Sequence, residues 1–309
     1  MRILVTGGSG FIGSNISIAL KSLGHDVVVL DNFSSGTYKN LIGFSGEVVQ
    51  KDLSSLSFED LDEINPDAII HQGAITDTTC YDEKLMFSVN TNSFYSILDY
   101  CESTDSPLVY ASSAAVYGAL KSPQIEDLAG SPLNVYGYSK FAMDQILFNR
   151  RKINPKLKAV GFRYFNVFGP RESYKGKMAS MIFQLYNQIK SGKNPKIFKW
   201  GEQSRDFIYV KDIVDANIFA LKKLESSSIC DVFNMGSGHA TSFKQILEYL
   251  SLAMKKKFEI DFIDNPYSDK YQNHTQASIE KLKTDLGFTP KWEIKKAIED
   301  YVSYLEKSG

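Results

Sequence analysis

An α/β fold built on a doubly wound parallel sheet is predicted for this chain of 309 residues by three observations. Short β-branched runs alternate with helical stretches through the first two-thirds of the sequence, the rhythm of strands joined by crossover helices. The runs carry no polar alternation, as strands covered on both faces require. The first run leads directly into a glycine-rich turn, TGGSGFIG at residues 6–13. Apolar residues make up 43% and charged residues 23% of the chain, the balance of a globular protein with a sizeable core.

Strands are expected at residues 3–6, 27–31, 68–71, 108–112 and 159–165. The segments between them carry helical spacing, with Ile12, Ile16 and Leu20 in the first and Phe94, Ile97, Leu98 and Cys101 in a later one. After about Asn166 the rhythm degrades, and Pro170, Gly176, Gly192, Pro195 and Gly201 punctuate the chain. Two later runs, 206–210 and 231–235, read as strands again. The patterning divides the chain into a Rossmann-type domain, residues 1–165 plus about 206–237, and a smaller, discontinuous α/β domain, residues 166–205 and 238–309. The last helix, with Ala297, Ile298, Val302 and Leu305 along one face, reads as core packing.

A formal net charge of −1 and a pI near 6.5 offer no electrostatic footing to nucleic acid or an anionic membrane. No apolar run reaches the roughly 18 residues that a membrane span needs. The apolar stretch at residues 3–5 is too short for a secretory leader, and glycines follow it. Cys80, Cys101 and Cys230 are odd in number and far apart, and His25, His71, His239 and His274 do not cluster. Neither a disulfide framework nor a metal site is expected, and the reducing cytoplasm is the expected location.

Glycine permits a tight turn and lets another group approach the backbone closely. Gly7, Gly10 and Gly13 recur where a helix begins, and free N–H donors at a helix start favour an anion such as a pyrophosphate. Their position after a strand, within a βαβ unit, separates this turn from an ordinary surface turn. Asp31 ends the second strand, where the ribose of a dinucleotide needs an acceptor. A carboxylate there repels a 2′-phosphate and favours NAD, whereas Lys39 and Lys51 downstream are cations able to offset that repulsion. NAD and NADP both stay open.

The second constellation is YGYSK, Tyr136 to Lys140, preceded by ASSA, Ala111 to Ala114, at the end of a strand. A Tyr and a Lys four apart share one helix face. An ammonium, together with a cationic nicotinamide ring, lowers the phenol's pKa so that Tyr136 can act as a base near neutrality. Ser113 is placed to hydrogen-bond the same reacting hydroxyl. The plain alternative is an amphipathic helix that happens to contain these residues.

TGGSGFIG, the ASSAAVYG segment and YGYSK together resemble the extended short-chain dehydrogenase/reductase family, whose sugar-nucleotide epimerases and dehydratases share this layout. The resemblance runs over essentially the whole chain and implies a homo-oligomer acting on a nucleotide-sugar. In that family's dehydratases the serine is usually a threonine followed by an acidic pair. Here Ser113 is followed by Ala114 and Ala115, which points to epimerisation or simple oxidoreduction. A narrower resemblance, carried by NVYGYSKF, FRYFNVFGPRESYKGKMAS, GEQSRDFIYV and YQNHTQA, is to the ADP-L-glycero-D-manno-heptose 6-epimerases of lipopolysaccharide core synthesis.

That resemblance implies reversible hydride transfer at C6, with Tyr136 as one acid/base and Lys175 as a second on the opposite face. The alternative for Lys175 is a phosphate-binding or surface lysine. The resemblance also implies cofactor contacts from Gly7, Gly10, Phe11, Ile12, Gly13, Asp31, Asn32, Lys39, Gln72, Gly73, Ala74, Asn90 and Val167, besides Tyr136 and Lys140. It favours NADP. Implied substrate contacts are Ser113, Asn166, Lys177, Gln184, Phe198, Gly201, Arg205 and Tyr271. Arg205 suits a diphosphate, because a guanidinium fork binds its oxygens bidentately; the plain alternative is an ion pair with Asp206. Three positions depart from the pattern: Lys177 stands for a serine, Gln184 for a histidine, and Tyr38, beside Lys39, for a lysine near the adenosine ribose.

Overall fold

The computed structural model describes residues 1–265 and 272–308. The first two-thirds supplies β1 (Arg2–Thr6), β2 (Asp26–Asp31), β3 (Glu47–Gln50), β4 (Ala68–His71), β5 (Leu108–Ser113) and β6 (Ala159–Tyr164). Further along come β7 (Asn166–Phe168), β8 (Lys196–Phe198), β9 (Ser204–Tyr209), β10 (Cys230–Met235), β11 (Ala240–Ser242) and β12 (Asp261–Ile263). Among the described residues a seven-stranded sheet runs β10-β6-β5-β4-β1-β2-β3, every neighbouring pair parallel. The chain winds outward from β1 to β3, then crosses to β4 and winds the other way. The crevice between the ends of β1 and β4 is therefore the switch point at which such sheets bind ligands.

The helices are α1 (Phe11–Ser22), α2 (Phe58–Ile64), α3 (Glu83–Phe87), α4 (Ser93–Thr104), α5 (Val135–Ile153), α6 (Met181–Lys190), α7 (Val210–Leu224), α8 (Phe243–Met254) and α9 (Ile294–Ser308). Period-two alternation sends Ile3 and Val5 to one face of the sheet and Leu4 to the other. On the first face they meet Ile16 and Leu20 of α1 and Ile213 and Leu224 of α7. On the second, Leu4 shares a core with Phe94, Ile97, Leu98 and Cys101 of α4 and with Met143 and Leu147 of α5. The sheet is thus covered on both sides, a Rossmann-type arrangement. A third core gathers α6, α8 and α9, where Ala297, Ile298 and Val302 are buried and Leu305 packs at the edge. No helix of the described residues is long and apolar enough to cross a membrane.

Two features differ from the sequence reading. The edge strand β3 was not expected, because its residues lie mostly exposed and give no continuous apolar run. The strand expected at 206–210 forms as β9, but it pairs with β7 and β11 in a separate three-stranded sheet. The next two elements, α7 and β10, return the chain to the large sheet. A small parallel pair, β8 with β12, completes the strands described.

The opening glycines serve two purposes. Gly7 has φ +63°, and a Cβ there would lie 2.5 Å from the Gly73 Cα. A Cβ on Gly13 would lie 2.2 Å from the Gly7 carbonyl oxygen. Gly10 has an ordinary φ of −73°, and a Cβ on it meets only the Gly7 oxygen, at 3.2 Å. Gly13→Ala is therefore expected to lower stability by about 1–3 kcal/mol in chemical denaturation, since backbone must move to admit it. Gly10→Ala is expected to leave stability nearly unchanged. Equal losses in the two variants would refute this division of roles.

Candidate active site

A cavity of about 790 Å³ opens at the switch point and is lined by Gly7, Gly10, Phe11, Ile12 and Gly13. Gly10 caps α1 without any side-chain acceptor, and no acidic residue stands in the first turn. The first N–H groups of α1 are thus left for another acceptor, the arrangement that holds phosphates. Asp31 ends β2 at the cavity wall, its Oδ2 accepting from the Ser9 N–H at 2.9 Å and its Oδ1 from the Phe33 N–H at 2.8 Å. Asn32 lines the same wall and donates to Asp52.

The two lysines named as counter-charges behave otherwise. Lys51 pairs with Asp60 at 2.9 Å, and Lys39, which does not line the cavity, lies 5.8 Å from the Tyr174 ring centroid. Gln72, Gly73 and Ala74 line the cavity after β4. The Gln72 side chain donates to Asn217 at 3.2 Å, while its buried Oε1 has no protein partner, and neither has the buried Ser9 Oγ. Asn90 lies behind the wall. Its amide bonds the backbone of Ile75 at 2.8 and 3.0 Å and the Ser139 hydroxyl at 3.0 Å, bracing the post-β4 loop against α5. The uncapped helix start, the room left by Gly10 and the unpaired Gln72 Oε1 at the cavity wall fit a dinucleotide.

Tyr136 and Lys140 stand one turn apart on α5, which Asn134 caps through the Gly137 N–H at 2.8 Å. Both line the cavity together with Ser113 at the end of β5. Lys140 is 1% exposed and donates to the Ala111 carbonyl at 2.9 Å. Burial pushes its ammonium down to about 8, against the opposing pull of the Asp144 carboxylate one turn further on. Asp144 is itself buried, accepting from Tyr110 at 2.8 Å, Ser112 at 3.1 Å and Arg163 at 2.9 Å. Arg163 also donates to the Glu126 carbonyl at 2.7 Å and to Tyr117 at 3.0 Å.

Ser113 Oγ accepts from the Ala115 N–H at 3.1 Å and hydrogen-bonds the Tyr136 phenol. Burial raises the phenol's pKa, and the Ser113 bond only works against that rise. The lowered phenol pKa expected from sequence is therefore not supplied by the protein's groups alone.

A second cavity, of about 630 Å³, is lined by Asn166, Gln184, Phe198 and Arg205. Phe165, Val167, Lys175 and Met178 line both cavities and so form their junction. Asn166 donates to the Asp206 carbonyl at 3.0 Å. The Asp206 carboxylate accepts from the N–H groups of Ser237, Gly238 and Ala277 at 2.7, 3.0 and 3.0 Å. Gln184 donates to the Lys177 and Ala179 carbonyls at 3.2 and 2.8 Å. Lys177 is exposed and lines neither cavity. Gly201 also lines neither; it turns the chain between β8 and β9 with φ +78°. Tyr271 lies outside the described residues.

Sequence reasoning overlooked Asp52, Thr76, Tyr164 and Tyr174 in the first cavity and Gln188 and Lys196 in the second. For Asp52 the missing signal was β3, which it closely trails in the chain.

The Lys140 charge carries a stability signature. From its ordinary 10.5 it falls to about 8 in the fold, so between these values the unfolded chain binds a proton that the folded chain does not. Stability therefore rises with pH across that window, and the full cost, about 3 kcal/mol, is present below it. Lys140→Met is expected to flatten this rise in denaturation curves taken from pH 7 to 11; an unchanged slope would contradict the burial argument.

The model of the NAD dependent epimerase/dehydratase family matches residues 3–236. The Helicobacter pylori ADP-L-glycero-D-manno-heptose-6-epimerase is 38% identical, with a TM-score of 0.90 over 99% of this chain and 96% of that one. A Methanobrevibacter ruminantium UDP-N-acetylglucosamine 4-epimerase, solved with UDP-N-acetylmuramic acid, is 27% identical, with a TM-score of 0.89 over 100% and 99% of the two chains. A Thermus thermophilus UDP-glucose 4-epimerase, solved with NAD, is 27% identical, with a TM-score of 0.85 over 100% of both. On the family match and the full-length likeness to these enzymes, the chain belongs to the NAD dependent epimerase/dehydratase family.

Proposed function

We propose that this protein is a nucleotide-sugar epimerase that inverts C6 of an ADP-linked manno-heptose with a resident nicotinamide dinucleotide, in the supply of heptose for lipopolysaccharide. The observation that carries the reading is Lys175 at the junction of the two cavities, one of which also holds Tyr136. A nicotinamide dinucleotide held along the first cavity by the Gly7–Gly13 turn and Asp31 would supply a positive charge and a reversible hydride acceptor. Tyr136 takes the proton of the C6 hydroxyl as the alcohol becomes a ketone. Ser113 hydrogen-bonds the phenol, and Lys140 keeps a cation one turn below it. Lys175 returns a proton to the ketone oxygen from the other side. Two opposed proton donors suit inversion at one carbon: the 6-ketone turns its other face to the hydride source between the two half-reactions, and its oxygen then meets the second donor. Arg205 and Asn166 line the second cavity, where Arg205 would hold the diphosphate.

We read the dinucleotide as NAD rather than the NADP implied by the narrower resemblance. Asp31 holds its carboxylate at the wall, while Lys39 and Lys51 are directed to Tyr174 and Asp60. Lys51 lines the cavity but its ammonium is paired with Asp60, and a neutral ribose diol meets the Asp31 charge better than a 2′-phosphate does.

The test is incubation with ADP-D-glycero-D-manno-heptose, followed by NMR at C6. Tyr136→Phe is expected to cut turnover by about a hundredfold or more while the cofactor stays bound. Lys175→Met is expected to do the same, whereas a 4-epimerase using only Tyr136 and Ser113 would keep its activity. Net consumption of added NADH in place of epimer formation would instead make the protein a reductase. Asp31→Ala is expected to shift binding toward NADP in fluorescence titration, and an unchanged NAD-to-NADP ratio would remove Asp31 from ribose recognition.

A further inference from the structure

Residues 169–180 run out from β7 and back to α6 as a hairpin that carries Lys175, with a short helical turn at Ser173–Met178, and they contain a buried carboxyl that takes no part in the proposed proton transfers. Glu172 is 0% exposed. Its Oε1 accepts from the Gly169 N–H at 3.0 Å and the Ser180 hydroxyl at 2.9 Å, and its Oε2 accepts from the Ser180 N–H at 2.6 Å. Ser180 in turn caps α6 through the Phe183 N–H at 3.2 Å. One carboxyl thus joins the residue after β7 to the start of α6, closing the base of the excursion between them. A carboxylate at a helix N-terminus is also favoured by the helix dipole. The Glu172 carbonyl accepts the Lys175 N–H at 2.9 Å, fixing the first turn of the hairpin. Gly176, with φ +55° and ψ −123°, then bends the chain sharply.

The base has a second anchor on α1. Asn15 donates to the Pro170 carbonyl at 2.9 Å and accepts from Arg171 at 2.9 Å. The tip is held more lightly, with the Lys175 ammonium 5.5 Å from the Phe11 ring centroid.

We propose that Glu172 is the positioning residue for Lys175: its buried carboxyl locks the hairpin base so that the Lys175 ammonium reaches the junction of the two cavities. The proposal rests on the acid/base reading of Lys175. The groups around Lys175 are Glu172 on its own hairpin, Phe11 on α1, Tyr136 and Lys140 across the first cavity, and Arg205 on the second. Burial lowers the Lys175 pKa and the Glu172 carboxylate raises it. Tyr301 of α9 faces the same carboxyl. A carboxyl that merely stabilised the fold would affect Tyr136 and Lys175 alike.

The experiment separates the two. Holoenzyme is mixed with each C6 epimer in turn, and the first appearance of reduced nicotinamide is followed in a single turnover. Lys175→Met is expected to slow one epimer's half-reaction about a hundredfold or more and spare the other. Glu172→Gln is expected to slow that same half-reaction about ten- to hundredfold through misplacement, spare the Tyr136 half-reaction, and add nothing when Lys175 is already Met. Isotope-labelled lysine NMR on the substrate-free protein gives a second reading, with the Lys175 midpoint moving down in Glu172→Gln.

Equal slowing of both half-reactions by Glu172→Gln, undiminished slowing in the Lys175→Met background, or an unmoved Lys175 midpoint would each overturn the positioning role alone. Should Lys175→Met slow neither half-reaction, the acid/base reading falls and the positioning role falls with it. If Glu172→Gln does not fold, Glu172→Asp takes its place. It keeps the charge but shortens the reach, so it is expected to slow only the Lys175 half-reaction with the midpoint retained, and equal slowing of both would overturn the proposal.

Discussion

The constraint on which the site depends is a buried cation. Lys140 lies 1% exposed beneath the cavity, with a carbonyl rather than a carboxylate as its nearest strong partner. An ammonium in that position is tolerated only if opposite charge stands close by. Asp144 supplies it from the same helix, and Asp144 is held in turn by Arg163 on β6 and by Tyr110 and Ser112 on β5. The stack Tyr136, Lys140, Asp144 is therefore one helical face read at four-residue steps, running from the cavity into the core. Its lower end is tied to two strands of the large sheet. Any movement of α5 against β5 and β6 would strand a charge, so the phenol at the top is located by electrostatics as well as packing.

The second organising feature is the passage of the chain from one sheet to another. β6 ends at Tyr164 in the large sheet, and β7 begins at Asn166 in the small one. Across that step Tyr164 lines the first cavity, Asn166 the second, and Phe165 and Val167 both. The crossing is itself the wall between the two spaces. Because β7 pairs with β9, the strand beginning Ser204-Arg205 is brought to the far side of the same wall. The topology therefore sets a diphosphate-binding candidate and a proton-transfer candidate on opposite sides of one backbone segment, with Lys175 and Met178 lining both spaces.

Much of this was legible in the chain. The strands of the large sheet stood out because burial on both faces leaves continuous apolar runs, as in Val27 to Leu30 and Ala68 to Ile70. β3 did not, because an edge strand with exposed faces has no such run. The partners of β9 were illegible for another reason: β7 and β11 contribute only short pairings, and no local pattern in three residues announces them. At the site, helical spacing was enough to place Tyr136 and Lys140 on one face. It was not enough for Asn90, whose bonds to Ile75 and Ser139 unite three segments far apart in sequence. Nor did it give the direction of the phenol's pKa, which depends on how deeply the ring is buried.

The departures at Lys177 and Gln184 have a common physical sense. They lie seven residues apart in sequence, yet the Gln184 amide donates to the Lys177 carbonyl at 3.2 Å and to the Ala179 carbonyl at 2.8 Å. A glutamine at 184 therefore holds the descending arm of the hairpin through backbone, and asks nothing of the side chain at 177. That side chain is exposed, and a long charged residue there loses no rotamer freedom. An imidazole at 184, with at most one N–H free when neutral, has fewer donors for the two carbonyls than an amide NH₂ has. With Gln184 the hairpin is fastened from α6 through backbone carbonyls, whatever side chain stands at 177. The cost falls on polarity toward the ligand, since an amide committed to two carbonyls offers the second cavity only its oxygen. On the proposed reading, Gln184 would meet a sugar hydroxyl through that oxygen, and the diphosphate would be left to Arg205 in the same cavity.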